Sequence, residues 1–155
     1  MEGPDRDRRG VRRAHAERAQ APGRPGAIAL RLVLDTGILI DHLRWHPGAT
    51  KLVLDALRKT DELCSSYVVR AEVLAGMRPG EERATHTLLA EIRWSELNEE
   101  QSETAGELGR TYRRSHPGIG VADLVVAAVA LHLEADLKTL NVKHFPMFPG
   151  LRPPY

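Results

Sequence analysis

The sequence predicts an α/β fold in which a mainly parallel central sheet is covered by helices. Two patterns along the 155-residue chain lead to this prediction. Short apolar segments alternate with longer segments of helical periodicity, which favours parallel strands joined by helices. The first strand, Leu30–Leu34, is fully apolar in its second half, which is typical of a strand covered on both faces. The length suits one domain whose core needs no disulfide or metal to fold.

Each element follows from apolar runs, breakers and caps. The predicted strands are short apolar or alternating runs: 30–34, 62–65, 92–97 and 137–140. The predicted helices place apolar side chains three or four positions apart: 38–44, 49–59, 67–77, 81–91, a helix capped by Asn98, and 121–135. Pro47-Gly48 and Pro79-Gly80 separate helices. Ser65 or Ser66 can cap the third helix. The last helix is hydrophobic almost all round and is therefore expected to be buried.

The charge of the chain is unevenly distributed. Residues 1–26 carry seven arginines against four acids, whereas residues 27–155 carry fifteen basic and seventeen acidic residues. The first segment is rich in Arg, Pro, Gly and Ala, and Val11 is its only large aliphatic side chain. Such a composition cannot bury enough apolar surface to fold. We therefore predict a disordered N-terminal extension over 1–26 and a folded domain over 27–155. A basic arm that contacts nucleic acid phosphates is the alternative for the extension.

The composition also indicates the compartment. Cys64 is the only cysteine, so no intramolecular disulfide can form, which fits a reducing cytoplasm. The longest uncharged apolar run, 124–131, has eight residues, whereas about 20 are needed to cross a bilayer. The N-terminus lacks the apolar core of a signal peptide. We expect a cytoplasmic protein with no membrane partner.

Three carboxylates occupy otherwise apolar surroundings. Asp35 directly follows the first strand, at the end where sites form in parallel sheets. The neighbours of Glu72 three and four positions away are apolar or small, and Asp123 lies in the most apolar helix. A buried ionised carboxylate must be paired, protonated or bound to a cation. Oxygen ligands without cysteine favour a hard ion, Mg²⁺ or Mn²⁺, which commonly serves phosphoryl chemistry.

Each acid also has an ordinary structural alternative. Asp35 and Asp123 could simply cap the helices that follow them. Glu72 could pair with an arginine such as Arg70 or Arg93. Taken together, the three acids favour a shared cation. The two tryptophans, Trp45 and Trp94, are expected to be packing residues and not platforms for base stacking, because the aromatic residues are few and scattered.

Four segments, in this order, resemble the PIN-domain ribonucleases, and in particular the VapC toxins of bacterial toxin–antitoxin pairs. They are LVLDTGILIDHLR, SSYVVRAEVLAGM, HPGIGVADLVVAAVA and LKTLNVKHF, and the resemblance covers nearly all of residues 30–148. It implies a three-layer α/β/α PIN-like fold with a mainly parallel sheet.

The resemblance also implies a set of site residues. Asp35, Glu72 and Asp123 match the family's metal-binding acids, and Thr36 matches the hydroxyl residue that orients ligands or water. The fourth acidic position of the family falls on Asn141, which retains an oxygen but removes a charge. Gly37 stands where many relatives have a polar residue. These two departures bear on the number of metal ions and on the rate.

The function that the resemblance implies is Mg²⁺- or Mn²⁺-dependent cleavage of RNA phosphodiester bonds, leaving a 5′-phosphate and a 3′-hydroxyl. The expected partners are transfer or ribosomal RNA, a cognate VapB-type antitoxin that neutralises the enzyme, and a second copy of the chain in a homodimer. One rival hypothesis is a catalytically weak PIN-like module that binds RNA or protein, suggested by Asn141. Another is a haloacid-dehalogenase-like phosphatase, which wants a second aspartate where Gly37 stands.

Overall fold

Four parallel strands form the central sheet of the computed structural model, which describes residues 29–155. The strands lie in the order β3-β2-β1-β4. Their bounds are β1 Arg31–Leu34, β2 Glu62–Ser66, β3 Arg93–Ser95 and β4 Asp136–Lys138. Val33 of β1 is the register partner of Cys64 on one side and of Leu137 on the other. Because all pairs are parallel, the four strands end at one edge, called the carboxyl edge below. The predicted extension, 1–26, lies outside the described residues.

Six α-helices cover the sheet in the part of the chain that the structure describes. They are α1 Thr36–Leu43, α2 Pro47–Arg58, α3 Tyr67–Ala75, α4 Glu82–Ala90, α5 Glu99–Tyr112 and α6 Val121–His132, followed by a 3₁₀ turn, Val142–His144. The side chains of Ser66 and Asn98 cap α3 and α5 by accepting hydrogen bonds from backbone N–H groups. Among these helices, none is both long and apolar enough to span a membrane.

The core lies on both faces of β1. Successive side chains of a strand point to opposite faces, and Leu32, Val33 and Leu34 are all buried, so both faces are covered. Helix α6 is the central helix, because every residue from 124 to 130 is buried. The predicted α/β fold with a parallel sheet is therefore confirmed, and α6 is the apolar helix that the sequence indicates.

Several element ends differ from the prediction. Helix α1 begins at Thr36 because Asp35 caps it, two residues earlier than expected. Helix α6 ends at His132, three residues earlier than expected, and Glu134 then adopts a left-handed conformation with φ 49°. Strand β4 ends at Lys138, so Thr139 and Leu140 lie in the loop beyond it. That loop carries side chains that the site uses.

The two tryptophans have different environments. Trp45 lies in the turn after α1 with φ 61° and is 80% exposed, so the prediction that it packs in the interior was wrong. Trp94 of β3 is partly buried against the core, and its indole N–H donates a hydrogen bond to the carbonyl of Leu89 at 3.0 Å. Trp94 therefore packs against the core, and this part of the prediction is confirmed.

Candidate active site

Asp35 lies at the centre of the carboxyl edge, because it follows β1 and β1 lies between β2 and β4. Its backbone N–H donates to the carbonyl of Lys138 at 3.0 Å, which fixes the residue against the end of β4. One carboxylate oxygen, Oδ1, accepts from the N–H of Thr36 at 2.8 Å. The other, Oδ2, accepts from the hydroxyl of Thr139 at 2.7 Å. Residues just beyond the ends of β1 and β4 therefore orient this carboxylate.

Glu72 meets the same edge from helix α3. The helix follows β2 directly, and it packs against α1. The hydroxyl of Thr36 donates to Oε2 of Glu72, so the residue next to Asp35 holds the second acid. Oε1 of Glu72 makes no hydrogen bond to any residue within 29–155. This oxygen is available to a ligand.

Asp123 lies in the first turn of α6 and contacts the 3₁₀ turn after β4. Its Oδ2 accepts from the backbone N–H of Gly120 at 2.9 Å and lies 3.0 Å from Nδ1 of His144. The amide of Asn141 lies 2.6 Å from the same His144 nitrogen. Asn141, His144 and Asp123 thus form one polar cluster, and Asn141 reaches the acid through the histidine.

The protons in this cluster follow from the charge of Asp123. An ionised carboxylate only accepts, so Nδ1 of His144 must carry the proton that it donates to Asp123. The structure places the amide nitrogen of Asn141 beside that N–H, and two donors cannot bond each other, so the pair is satisfied only when the amide is turned by 180° and its carbonyl oxygen accepts. Side-chain amide orientation is assigned from such networks. In that orientation the carbonyl oxygen of Asn141 accepts from His144, and a contribution of Asn141 to a metal site stays a prediction.

The three acids interact electrostatically. Burial raises the pKa of Asp35 above its ordinary value of 3.8, and the negative charges of Asp123 and Glu72 raise it further. The hydrogen bonds from Thr139 and from the N–H of Thr36 oppose that rise without cancelling it. The structure thus brings the three predicted acids, Thr36 and Asn141 to one edge of the sheet.

Comparison with known proteins identifies the family. The family model described as "PIN domain" matches residues 32–144, which contain all five predicted site residues. The chain belongs to the PIN-domain family. The sequence resemblance on which the fold was predicted is thereby confirmed.

The relatives of this PIN domain are named ribonucleases. Ribonuclease VapC19 of Mycobacterium tuberculosis is 42% identical over 123 residues, which cover 79% of this chain and 98% of the relative. Ribonuclease VapC10 of the same organism is 42% identical over 124 residues, covering 80% and 92%. A solved toxin–antitoxin complex from Klebsiella pneumoniae matches with a TM-score of 0.66 and 25% identity, covering 80% of this chain and 98% of that one. The predicted VapC resemblance is confirmed.

The structural alternatives for the acids have mixed outcomes. Asp35 caps α1, and Asp123 accepts from the backbone at the start of α6, so both capping roles exist beside any metal role. The arginine pairing suggested for Glu72 was wrong, because Arg93 pairs with Glu62 at 2.7 Å and Arg70 lies over Trp94. Within residues 29–155, no Lys or Arg lies within salt-bridge distance of the three acids.

The chemistry of the donors fits a hard divalent cation, since all three acids offer oxygens and Asp35 is destabilised by its neighbours' charges. Glu72 and Asp123 each keep one oxygen without a hydrogen bond inside the described chain. The side chains do not form a closed cage, because no group of three His, Cys, Asp or Glu residues in 29–155 is arranged to hold an ion. In the structure Glu72 accepts from the hydroxyl of Thr36, and Asp123 lies beside Nδ1 of His144.

Sequence reasoning missed Thr139 and gave His144 little weight. Thr139 is fully buried, yet its hydroxyl donates to Asp35 and accepts from the N–H of Asn141 at 3.0 Å. The sequence placed it in a strand, where a threonine is unremarkable. The signal that could have found it is position, because it lies just beyond a central strand at the edge where Asp35 lies. No contact between His144 and Asp123 was predicted, whereas in the structure Nδ1 of His144 lies 3.0 Å from Oδ2 of Asp123.

The pH dependence of stability in this PIN domain follows from Asp35. Its pKa in the folded state is raised, so the carboxyl contributes full stability below its ordinary pKa of 3.8, and that contribution is lost as the pH rises through the folded value. In chelator, we expect the loss of stability between pH 4 and pH 7 to be smaller in Asp35→Asn than in wild type, because asparagine does not ionise. Thermal melts across this range test this, and parallel curves for the two proteins would contradict it.

Thr139→Val isolates the hydroxyl that supports Asp35. Valine keeps the shape but removes the hydrogen bond that lowers the pKa of Asp35, and it leaves the N–H of Asn141 without that acceptor. If Asp35 binds a metal ion, we expect RNA cleavage to fall by about 10–100-fold, because Thr139 orients that carboxylate. The acidic limb of the pH–activity profile should move to higher pH. Thr87→Val, on the exposed face of α4, is the control, and an unchanged pH profile in Thr139→Val would contradict the assignment.

Proposed function

We propose that this PIN domain is an endoribonuclease in which Asp35, Glu72 and Asp123 together hold a divalent cation, Mg²⁺ or Mn²⁺. The observation that carries the proposal is the charge conflict at Asp35. Burial and two neighbouring carboxylates disfavour its ionised form, and no described Lys or Arg pairs with any of the three acids. A bound cation would stabilise the ionised forms of these carboxylates by placing a positive charge among them.

The remaining residues orient the acids. The hydroxyl of Thr139 donates to Asp35, and the hydroxyl of Thr36 donates to Glu72. His144 contacts Asp123 and is itself in contact with Asn141. When bound, the ion supplies positive charge for the scissile phosphate and favours attack by water. Asn141 is uncharged, so the site carries one negative charge fewer than a site with four acids. A single ion is the occupancy that this donor set favours.

Membership of the family extends this proposal to the biological role. The prediction of an RNA-cleaving toxin that a VapB-type antitoxin neutralises is confirmed at the level of the family, through relatives named ribonucleases and a neighbour solved as a toxin–antitoxin complex. For this chain we further propose transfer or ribosomal RNA as substrate, a homodimer as the assembled form, and the cytoplasm as the place of action. The single buried Cys64 fits a reducing compartment.

One observation favours a second function. The carboxylates of Glu72 and Asp123 are turned toward Thr36 and His144, and the described residues form no ready ligand cage. A module that binds RNA and cuts it poorly would also show this arrangement. The two functions differ in their response to metal, because only the enzyme requires an ion for turnover.

Incubation of purified protein with total RNA tests the nuclease. We expect cleavage with millimolar Mn²⁺ or Mg²⁺ and none with excess chelator. Products should carry a 5′-phosphate, which a 5′-phosphate-dependent exonuclease detects by degrading them. Cleavage that persists in chelator would overturn the proposed role of the metal, and RNA binding without cleavage would favour the binding module.

Metal binding should also stabilise the fold independently of RNA. A ligand that binds only the native state at 100 times its Kd adds about 2.7 kcal/mol, which raises the melting temperature by about 5–10 °C for a chain of this size. We expect Mn²⁺ at pH 7 to produce such a rise in wild type and none in Asp123→Asn. Glu134→Gln, beyond the end of α6, provides a control acid whose loss should leave the rise intact. A melting temperature unmoved by Mn²⁺ would contradict a shared site.

A further inference from the structure

A groove on the far flank of helix α3 is not used by the proposed chemistry. It has a volume of about 380 Å³ and lies between α3, α4 and the edge strand β3. Its walls are the side chains of Tyr67 and Arg70 on α3, His86 and Leu89 on α4, and Ile92 and Trp94 at β3. This volume falls within the range of about 300–1,000 Å³ that small-molecule sites occupy.

Aromatic and cationic groups line the groove together. The ring centroids of Tyr67 and Trp94 lie 6.2 Å apart with planes inclined by 37°. The guanidinium carbon of Arg70 lies 6.0 Å from the Trp94 ring centroid. Tyr67 is 50% exposed, so one part of its ring faces solvent. Aromatic rings and the arginine plane are the groups on which unpaired bases stack, without strong preference for sequence.

The charge of the groove favours RNA over an acidic or apolar protein segment. The titratable groups in its lining are those of Tyr67, Arg70 and His86, and no acid lines it. Arg70 makes no ion pair with any residue in 29–155, so its charge is not neutralised within the described chain. A phosphate beside a stacked base would supply the missing counter-charge.

Helix α3 connects the groove with the acids. Arg70 and Glu72 are two positions apart, which places them on opposite flanks of a helix with 3.6 residues per turn. Accordingly, Arg70 contacts Trp94 on one side and Glu72 contacts Thr36 on the other. The helix starts at Tyr67, directly after β2 ends at the carboxyl edge. A helix with its side chains is about 10–12 Å across. An RNA strand that passes over this N-terminus therefore needs only a few nucleotides to reach from the groove to the acids.

We infer that the groove of Tyr67, Arg70 and Trp94 binds an unpaired nucleobase of the RNA substrate, a few nucleotides from the bond that is cut. The inference rests on the proposed function, because it assigns a position along the same RNA strand. It also provides the site with selectivity for unpaired RNA, since a base stacked in a duplex cannot enter the groove.

Tryptophan fluorescence tests this binding directly. The chain contains two tryptophans, so Trp45→Phe leaves Trp94 as the only reporter, inside the groove. In chelator, which prevents cleavage, the variant is titrated with a single-stranded RNA decamer and with an abasic strand of equal length. We expect saturable quenching by the RNA and at least about tenfold weaker binding of the abasic strand, because only bases stack on aromatic rings.

Tyr67→Ala in the same background is the decisive variant, because it removes a half-exposed ring and leaves the partly buried Trp94 in place. From the usual contribution of base–aromatic stacking, we expect Kd to rise about five- to 100-fold. Leu54→Ala removes an exposed apolar side chain on α2, outside the groove, and should leave Kd unchanged. A far-ultraviolet circular dichroism spectrum equal to wild type shows that each variant is folded.

Three outcomes would overturn the inference. Equal quenching by the RNA and the abasic strand would show that the groove binds phosphates alone. No quenching by either strand would show that RNA does not enter it, and normal metal-dependent cleavage in the same preparation would leave the nuclease proposal standing. Emission that shifts on concentrating the protein without RNA would show that a second copy of the chain covers the groove. Quenching by RNA without cleavage in metal would instead support the groove and contradict the nuclease.

Discussion

Asp35→Asn is expected to abolish metal-dependent RNA cleavage, with a loss well beyond the 10–100-fold that removal of a supporting residue costs. Asp35 is the acid at the centre of the carboxyl edge, and both other acids act on its charge. Asparagine keeps an oxygen at the position but removes the negative charge that the proposed divalent ion requires. Initial rates on a fluorescent RNA, at saturating Mn²⁺, measure the effect.

The fold should survive this substitution, which makes the result interpretable. The amide oxygen of asparagine can still accept from the N–H of Thr36, and its NH₂ group can donate to the hydroxyl oxygen of Thr139. Because the ionised form of Asp35 is disfavoured by burial and by like charges, the neutral side chain should not lower the melting temperature in chelator. RNA binding should persist, since the nucleobase groove lies on the other flank of α3.

Asp55→Asn is the matched control. It makes the same chemical change on α2, where Asp55 pairs with Lys51 and lies away from the carboxyl edge. We expect full cleavage from this variant. Equal rates of RNA cleavage by Asp35→Asn and wild type would show either that the nuclease proposal is wrong or that a contaminating enzyme is being measured. A rate that chelator does not change would identify the contaminating enzyme.

The sequence predicted most of the scaffold because the relevant signals are local. A strand of apolar residues that ends in Asp35-Thr36-Gly37 already contains the strand end, the cap and the start of the helix. Helix α6 is apolar on every side, so its burial follows from composition alone. Elements whose ends depend on tertiary pairing were less well predicted, as β4 shows. Its pairing with β1 stops at Lys138, opposite Leu34, although the apolar pattern continues to Leu140.

The site was predicted only in part, for the same reason. Asp35, Glu72 and Asp123 could be found because a carboxylate on an apolar surface is unusual in the sequence itself. Thr139 and His144 could not be found in this way, because their roles depend on which side chains lie opposite them in space. A buried threonine and a histidine in a turn have no distinctive local pattern, and their bonds to Asp35 and Asp123 span 104 and 21 residues.

For the arginines, the sequence suggested a contact that the structure does not contain. Arg70 and Arg93 are close to Glu72 in sequence or in the sheet, so a pairing with Glu72 was a reasonable alternative. In the structure Glu62 accepts from both Arg31 and Arg93 across the strands, which lowers the pKa of Glu62. These side chains are largely exposed, so the pairs add little stability. Within residues 29–155, Glu72 makes no ion pair with an arginine, so its charge is not neutralised in that part of the chain.

Phe145→Ala is expected to produce the largest loss of stability. Phe145 follows the 3₁₀ turn that carries His144, and its ring is 1% exposed in the core, 6.4 Å from the ring of Phe148. Truncation of a buried phenylalanine costs about 3–5 kcal/mol, a large share of the about 5–15 kcal/mol that stabilises a typical domain. The melting temperature should fall by about 10 °C or more, measured by circular dichroism in chelator.

Phe145 directly follows the turn whose His144 contacts Asp123. If its ring anchors the turn, His144 and Asn141 lose their fixed distance from Asp123 when the ring is removed. RNA cleavage by Phe145→Ala should therefore be reduced even at temperatures where the protein is fully folded. Phe145→Leu keeps most of the apolar volume and should retain most of the activity. Leu97→Ala removes a side chain that is 50% exposed and should leave both stability and cleavage near wild type. A Phe145→Ala protein that is destabilised yet cleaves normally when folded would show that the turn is held by its hydrogen bonds alone.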